Sequence, residues 1–317
     1  MIPSWPLPRR FPRPQITRCV VRRGRAAPGR VLVGTSGWLY PRWRGDFYPR
    51  DLRRGGELDY LAARLPTVEV NGTFYSLTRP STCDAWRQQV PESFVFAIKG
   101  SRYITHMLKL KGFEPPLANF FASGILRLGR TLGPILWQLP PQLGFDRDRA
   151  ARFLEALPRD VAGAERWARR HDARTTGRAA LTAPDGRTRA LRYALEVRHV
   201  SWLEDASLDL LRDFDVALVA ADTAGRHPLS LERTASFAYV RLHGATELYA
   251  SRYEDDLLAS WSQRAAAWSA GGADVFVYFD NDARGHAPHD ASRLRDLVAA
   301  GDPERTAAAR PGAAAPL

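Results

Sequence analysis

The sequence predicts an α/β fold, a (β/α)8 TIM-type barrel forming a single domain. Eight short apolar runs are spaced along the chain and separated mostly by helical stretches. Nearly all of these runs end in a polar or charged residue. In such a barrel the C-terminal strand ends surround the active site. A length of 317 residues suits one barrel.

The strands are expected at 31–35, 67–71, 94–99, 135–138, 193–198, 216–222, 237–243 and 275–281. Between the first two, 57–65 reads as a helix closed by Pro66. Ser81 is a candidate N-cap, with Asp84 three residues on, for a helix over 82–89. Residues 116–128 follow strand three as a helix, which Gly129 can stop. Residues 148–157 follow strand four, ended by Pro158, and 208–214 lies between strands five and six. Residues 255–268 precede strand eight and break at Gly271-Gly272; 291–300 closes the ring. The connection from strand six to seven leaves 229–234 for a short helix or none. Residues 159–192 are long for an αβ connection. They read as a helix over 159–171 and a hairpin turning at Pro184-Asp185-Gly186. This arginine-rich arm should leave from the bottom of the barrel, where self-association is as good a role as substrate contact.

The barrel should begin near Arg30 and end near residue 300. Residues 1–30 hold eight arginines and no acid, so of a net charge of +12 about +4 remains on the other 287 residues. The segment reads as a disordered Arg/Pro-rich extension or a misassigned start, and alternatively as a phosphate-gripping arm. No apolar stretch follows Arg9-Arg10, as a twin-arginine signal would need. Residues 301–317 are Ala/Pro-rich and expected to be disordered. Two cysteines give neither a disulfide framework nor a thiolate zinc cluster, and a cytoplasmic setting is expected. No apolar run approaches the roughly 18 residues that span a membrane.

Charges inside doubly buried strands are expensive unless paired or facing a wet cavity. Strand alternation assigns their direction. Glu69 and Asn71 share one face of their strand, as do Glu196 and Arg198, and Tyr239, Arg241 and His243. The intervening valines and leucines suit the helix layer, so the polar set should face the barrel mouth. Lys99, Gln138, Asp222, Asp280 and Asn281 add further tips. Glu69 and Glu196 admit acid/base work, since glycosidases use two carboxyls either about 5–5.5 Å or about 6.5–9.5 Å apart. Glu69, Glu196, Asp222 and His243 are also candidate ligands for a divalent metal, though no tight motif supports it. Lys99, Arg198 and Arg241 point to an anionic substrate. His106, in the loop after strand three, and His243 are candidate proton carriers. Trp38 lies in an aromatic loop, with Trp43, Phe47 and Tyr48, that either stacks on a ligand or packs onto the barrel. His199 reads chiefly as loop packing. The alternative for the whole set is a buried ion network without chemistry, although buried ion pairs rarely add net stability.

Several stretches resemble the domain-of-unknown-function 72 (YecE-like) family. They are Val33-Gly34-Thr35-Ser36-Gly37-Trp38, Phe47-Tyr48-Pro49, Val68-Glu69-Val70-Asn71-Gly72-Thr73-Phe74-Tyr75, Ile104-Thr105-His106 and Gln138-Leu139-Pro140-Pro141. Glu196-Val197-Arg198-His199, Tyr239-Val240-Arg241-Leu242-His243-Gly244 and Tyr278-Phe279-Asp280-Asn281-Asp282 complete the set, in order from about residue 31 to 300. The resemblance implies a (β/α)8-type barrel and no particular reaction. Gly72 stands where the family tends to have a small polar residue, and Asp280 where asparagine is more usual.

The functional expectation is a barrel hydrolase or lyase acting on a phosphate- or carboxylate-bearing substrate. Catalytic candidates are Glu69, Glu196, His106 and His243. Binding candidates are Asn71, Lys99, Gln138, Arg198, Arg241, Asp222, Asn281 and Trp38. No organic cofactor is implied. Two alternatives stand: a metal-free glycosidase using Glu69 and Glu196, and a non-enzymatic binder of nucleic acid or anionic ligands. No membrane partner is expected.

Overall fold

A computed structural model describes residues 27–301. Most of the two expected tails, 1–30 and 301–317, lies outside these residues. The strands are β1 (Val31–Ser36), β2 (Thr67–Val70), β3 (Val95–Lys99), β4 (Leu132–Gln138), β5 (Tyr193–Glu196), β6 (Val216–Leu218), β7 (Ala220–Asp222), β8 (Phe237–Leu242) and β9 (Asp274–Phe279). All pairs are parallel, in the order β6-β5-β4-β3-β2-β1-β9-β8-β7. The fold is the expected TIM-type barrel, with one change at its seam. The run 216–222 is not one strand but two, parted at Val219. Its lower half pairs with β5 and its upper half with β8. The Val219 amide still reaches the Leu195 carbonyl, at 3.0 Å. On the free edge of β6, the Thr234 hydroxyl accepts from the Leu218 amide at 2.8 Å and donates to the Val216 carbonyl at 2.6 Å. One side chain thus replaces a missing strand contact.

Alternation divides each strand between two apolar layers. Leu32, Val95, Ala97, Leu136, Ala194, Ala217, Ala221, Phe237, Tyr239, Phe276 and Tyr278 fill the barrel interior. Val33, Val68, Phe96, Ile98, Ile135, Leu195, Val240 and Val277 pack outward against the helices. Alanines on the inner wall leave volume for Tyr239, Tyr278 and the polar layer above them.

The helices are α1 (Glu57–Ala62), α2 (Gly72–Tyr75), α3 (Pro80–Gln88), α4 (Glu114–Ala122), α5 (Arg147–Ala156), α6 (Val161–Ala168), α7 (Asp205–Asp213), α8 (Asp255–Ala270) and α9 (Ala287–Gly301). Ser81 is not the N-cap of α3. Arg79 is, without a side-chain bond, because Pro80 already opens the first turn. The expected helix over 116–128 is two pieces, α4 and a 3-10 segment, Ile125–Thr131, hinged at Gly124 with φ 114°. The expected hairpin over 179–193 is absent. Its Asp-Gly turn signal is local, whereas its partners are a carboxylate of α6 and backbone carbonyls ahead of and at the start of β4. Glu165 accepts from the Ala183 amide at 3.0 Å and from Arg187 at 2.9 Å. Arg189 donates to the carbonyls of Leu132 and Gly129, each at 2.8 Å. The arm therefore grips the bottom of the barrel, below the starts of its strands.

Candidate functional site

Side chains from five walls of the barrel meet on Arg241, which is fully buried near the top of β8. A guanidinium has five N–H donors in a rigid fork. Its Nε donates to Glu69 Oε2 at 3.1 Å and its Nη2 to Glu69 Oε1 at 2.8 Å. Nη1 donates to Glu196 Oε2 at 2.6 Å and to His243 Nε2 at 3.2 Å. Nη2 also reaches Ser36 Oγ at 3.0 Å and Asp280 Oδ2 at 2.9 Å. Because Arg241 can only donate, His243 Nε2 accepts, which leaves the ring proton of a neutral His243 on Nδ1. That atom lies 3.1 Å from Asp280 Oδ2.

Glu69 is filled from every side. Besides Arg241, the Tyr239 hydroxyl donates to Oε2 at 2.6 Å and the Ser36 hydroxyl to Oε1. Glu196 spends Oε2 on Arg241, and Oε1 on Arg198 through Nε and Nη2, both at 3.1 Å. Burial alone would raise the Glu196 carboxyl. The charge of Arg241 first, with Arg198 and Lys99 beside it, outweighs it and holds the group well below the usual carboxylate range. Glu196 is a fixed anion. Burial opposes ionisation of Asp280 too, and Arg241 with His243 overcomes it, so its carboxyl is also lowered.

This arrangement revises the roles expected of Glu69, Glu196 and Arg241. The two glutamates bind the guanidinium rather than a metal, and Arg241 holds carboxylates of its own chain rather than a substrate's. Among the described residues no group of three or more His, Cys, Asp and Glu side chains is set to hold a metal ion. The fourth metal candidate, Asp222, is turned aside. It accepts from the Tyr253 hydroxyl at 3.0 Å and the Ala224 amide at 3.3 Å, and burial raises its carboxyl.

What faces the mouth is a different subset. Lys99, at the tip of β3, is 8% exposed; its carbonyl accepts from the Thr73 hydroxyl at 2.7 Å, but among the described residues its ammonium has no hydrogen-bond or ion-pair partner. Its Nζ sits 4.5 Å from the centre of the Phe74 ring. Burial, and then the charge of Arg241, push its ammonium down to about 8. His106 packs edge-on against the same ring at 5.1 Å, with Nδ1 2.9 Å from Thr105 Oγ1. Burial, Arg198 and Lys99 push it down to about 4, so it is neutral at pH 7. Arg198 keeps 15% of its side chain exposed. Asn71 donates to Ser36 Oγ at 2.9 Å, and among the described residues its Oδ1 and the Gln138 side chain have no hydrogen-bond partner. Behind Lys99, Gly100 is obligatory, because a Cβ there would stand 2.2 Å from the Trp137 ring.

Two binding candidates lie elsewhere. Trp38 packs edge-on against Trp86 of α3 at 5.3 Å, and Trp43, Phe47 and Tyr48 pack on one another, the loop-packing alternative. Asn281 turns outward to the Ser251 carbonyl and Asp290, at 3.0 and 2.8 Å. Asp280 takes the inward place beside it. Alternation carried on from Tyr278 selects Asp280, a signal present in the sequence. Ser36, Phe74 and Tyr239 complete the cluster and had no charge to single them out. His199 caps the turn at Val200–Leu203, its Nδ1 2.9 Å from Ser201 Oγ. A separate concavity of about 210 Å³ near Arg87 and Asp185 lies at the opposite end of the barrel.

A family profile described as "protein of unknown function DUF72" matches residues 32–314. The chain belongs to this family. Among DUF72 relatives, the UPF0759 protein YecE of Escherichia coli K12 is 29% identical over 131 residues, 40% of this chain. That match spans 44% of the length of YecE, less than half of it. The UPF0759 protein YunF of Bacillus subtilis is 21% identical over 300 residues, covering 84% of this chain and 94% of YunF. A crystal structure of a DUF72 family protein from Thermotoga maritima superposes with a TM-score of 0.67 at 23% identity. It covers 85% of this chain and 99% of that one, and establishes the shared fold. Within the DUF72 barrel, the chemistry rests on the residues themselves.

Proposed function

We propose that the mouth of the barrel is the active site of a hydrolase or lyase for a small carboxylate- or phosphate-bearing substrate. The observation that carries this reading is Lys99, a buried cation at a strand tip whose ammonium has no acceptor among the described residues. A cation left so is otherwise a net cost, and a bound anion supplies the missing partner. The Arg241 cluster is the rigid floor. It fixes Glu196, which orients Arg198 as a second cation at the rim. Preorganised charge of this kind acts strongly because nothing need reorganise when the substrate arrives. His106 is neutral at pH 7 and free to accept a proton.

The glycosidase alternative draws no support from Glu69, whose oxygens are already taken by four donors. A reducing, cytoplasmic setting suits Cys83, which is buried with its thiol pushed up to about 12.

The test is calorimetric titration of the protein with inorganic phosphate and with lactate. Binding of at least one is expected, weakened about tenfold, or about 1.4 kcal/mol, by Arg198→Gln. No heat with either anion, together with unaltered Lys99 reactivity in their presence, would sink the reading.

A further inference from the structure

The chain has 43 arginines and three lysines. Lys109 and Lys111 are exposed, and Lys99 is the buried one. For gripping an anion arginine is the better residue, with a planar fork that stays charged. Only lysine yields a neutral amine that can bond to carbon. A chain that uses arginine almost everywhere keeps an amine at the place where its barrel opens.

We propose that Lys99 forms an imine with the carbonyl carbon of an anionic oxo compound, an oxo acid or an oxo phosphate, and that the site is a lyase. The inference rests on the reading of the mouth as an anion site and narrows it. Three features of the geometry support it. The amine lies over the face of the Phe74 ring, a contact that by itself suits an ammonium, but it is buried away from water, which disfavours the charge, and among the described residues nothing bonds to its nitrogen. The guanidinium of Arg241 adds like-charge repulsion, which the carboxylates of Glu69, Glu196 and Asp280 around it offset only in part. His106 leans on the same ring as Lys99 and presents a neutral imidazole to the same space.

The steps balance without an oxidant or a co-reactant other than water. The Nζ lone pair adds to the carbonyl carbon, and the carbonyl oxygen takes up a proton. The nitrogen gives up a proton, and the hydroxyl leaves as water with formation of the C=N bond. The protonated imine then draws in the electron pair of the neighbouring C–C bond. His106 accepts the proton of the hydroxyl on the departing carbon, which leaves as an aldehyde. The resulting enamine takes that proton back on carbon, and water hydrolyses the imine to free Lys99. Arg198 holds the carboxylate or phosphate throughout.

The full chain is incubated with pyruvate, or with dihydroxyacetone phosphate, and reduced with borohydride. Peptide mass mapping then locates the adducts. One reduced adduct is expected on Lys99, with Lys109 and Lys111 at background. The yield should rise through about pH 8 and vanish in Lys99→Arg, which keeps the charge. Adduct at Lys99 no greater than at the two exposed lysines, with both probes, overturns the imine. A parallel arm separates this from failure of the anion site. Inorganic phosphate should protect Lys99 of the unmodified protein from trinitrobenzenesulfonate. Protection without any imine leaves the anion site standing and overturns the lyase. Neither protection nor imine overturns both.

Discussion

Removing the Arg241 guanidinium strands Glu69, Glu196 and Asp280 without their common partner. Arg241→Met should therefore destabilise the protein by about 3–5 kcal/mol, read from chemical denaturation. An unchanged midpoint would mean the cluster carries no such load. The same cluster sets the response to acid. The folded-state carboxyl of Glu196 lies well below its unfolded value of about 4.3. Its stabilisation is complete above that value and is lost as pH falls toward the folded one. The melting temperature should drop steeply below about pH 4, and less steeply in Glu196→Gln. Lys99 has the opposite sign. Its ammonium is lowered to about 8 in the folded protein, so burying it costs stability at neutral pH. That cost fades between about pH 8 and about pH 10.4, the ordinary lysine value. Lys99→Met should thus stabilise the protein at pH 7, by up to about 3 kcal/mol, while abolishing its chemistry. A less stable Lys99→Met would contradict this.

At the level of strands, the seam is the place to test. Thr234→Val keeps the shape but strands the Leu218 amide and the Val216 carbonyl, at a cost of about 1–3 kcal/mol in denaturation. Thr234→Ser should cost much less; equal losses would deny the hydroxyl its role. The seam also marks where sequence stops informing. Period-two alternation is a local property, so the inward turn of Glu69, Glu196 and Arg241 was legible along each strand. That one guanidinium would satisfy both glutamates was not, because those contacts cross the barrel and exist only once it closes. Residues 216–222 read as one apolar run, and the stagger of the ring alone parts them at Val219. Pro184-Asp185-Gly186 does turn the chain, yet Ala183 and Arg187 on its two sides donate to Glu165, and Arg189 to barrel carbonyls, instead of pairing with each other. At β9 the sequence offers Asp280 and Asn281 together, and the pleat turns Asp280 inward to Arg241 and Asn281 outward to Ser251 and Asp290.

Across the whole molecule, positive charge is concentrated at one end of the chain. Residues 1–30 hold eight arginines and no acid. A chain beginning at residue 27 should leave a heparin column at markedly lower salt than the full chain. Its binding to duplex DNA should lose about 0.9 in log–log salt slope for each phosphate contact removed. An unchanged slope would relocate polyanion binding to the barrel. Among the described residues no helix is long and apolar enough to cross a membrane. Arg241, by contrast, joins β1, β2 and β5 to the turns after β8 and β9 through a single planar group. It is consequently a built-in gauge of how the barrel breathes. In nitrogen-15 spectra its side-chain protons, sealed from water and pinned against rotation, should appear as separate, slowly exchanging resonances. Their broadening would register the walls drawing apart before any strand had unpaired.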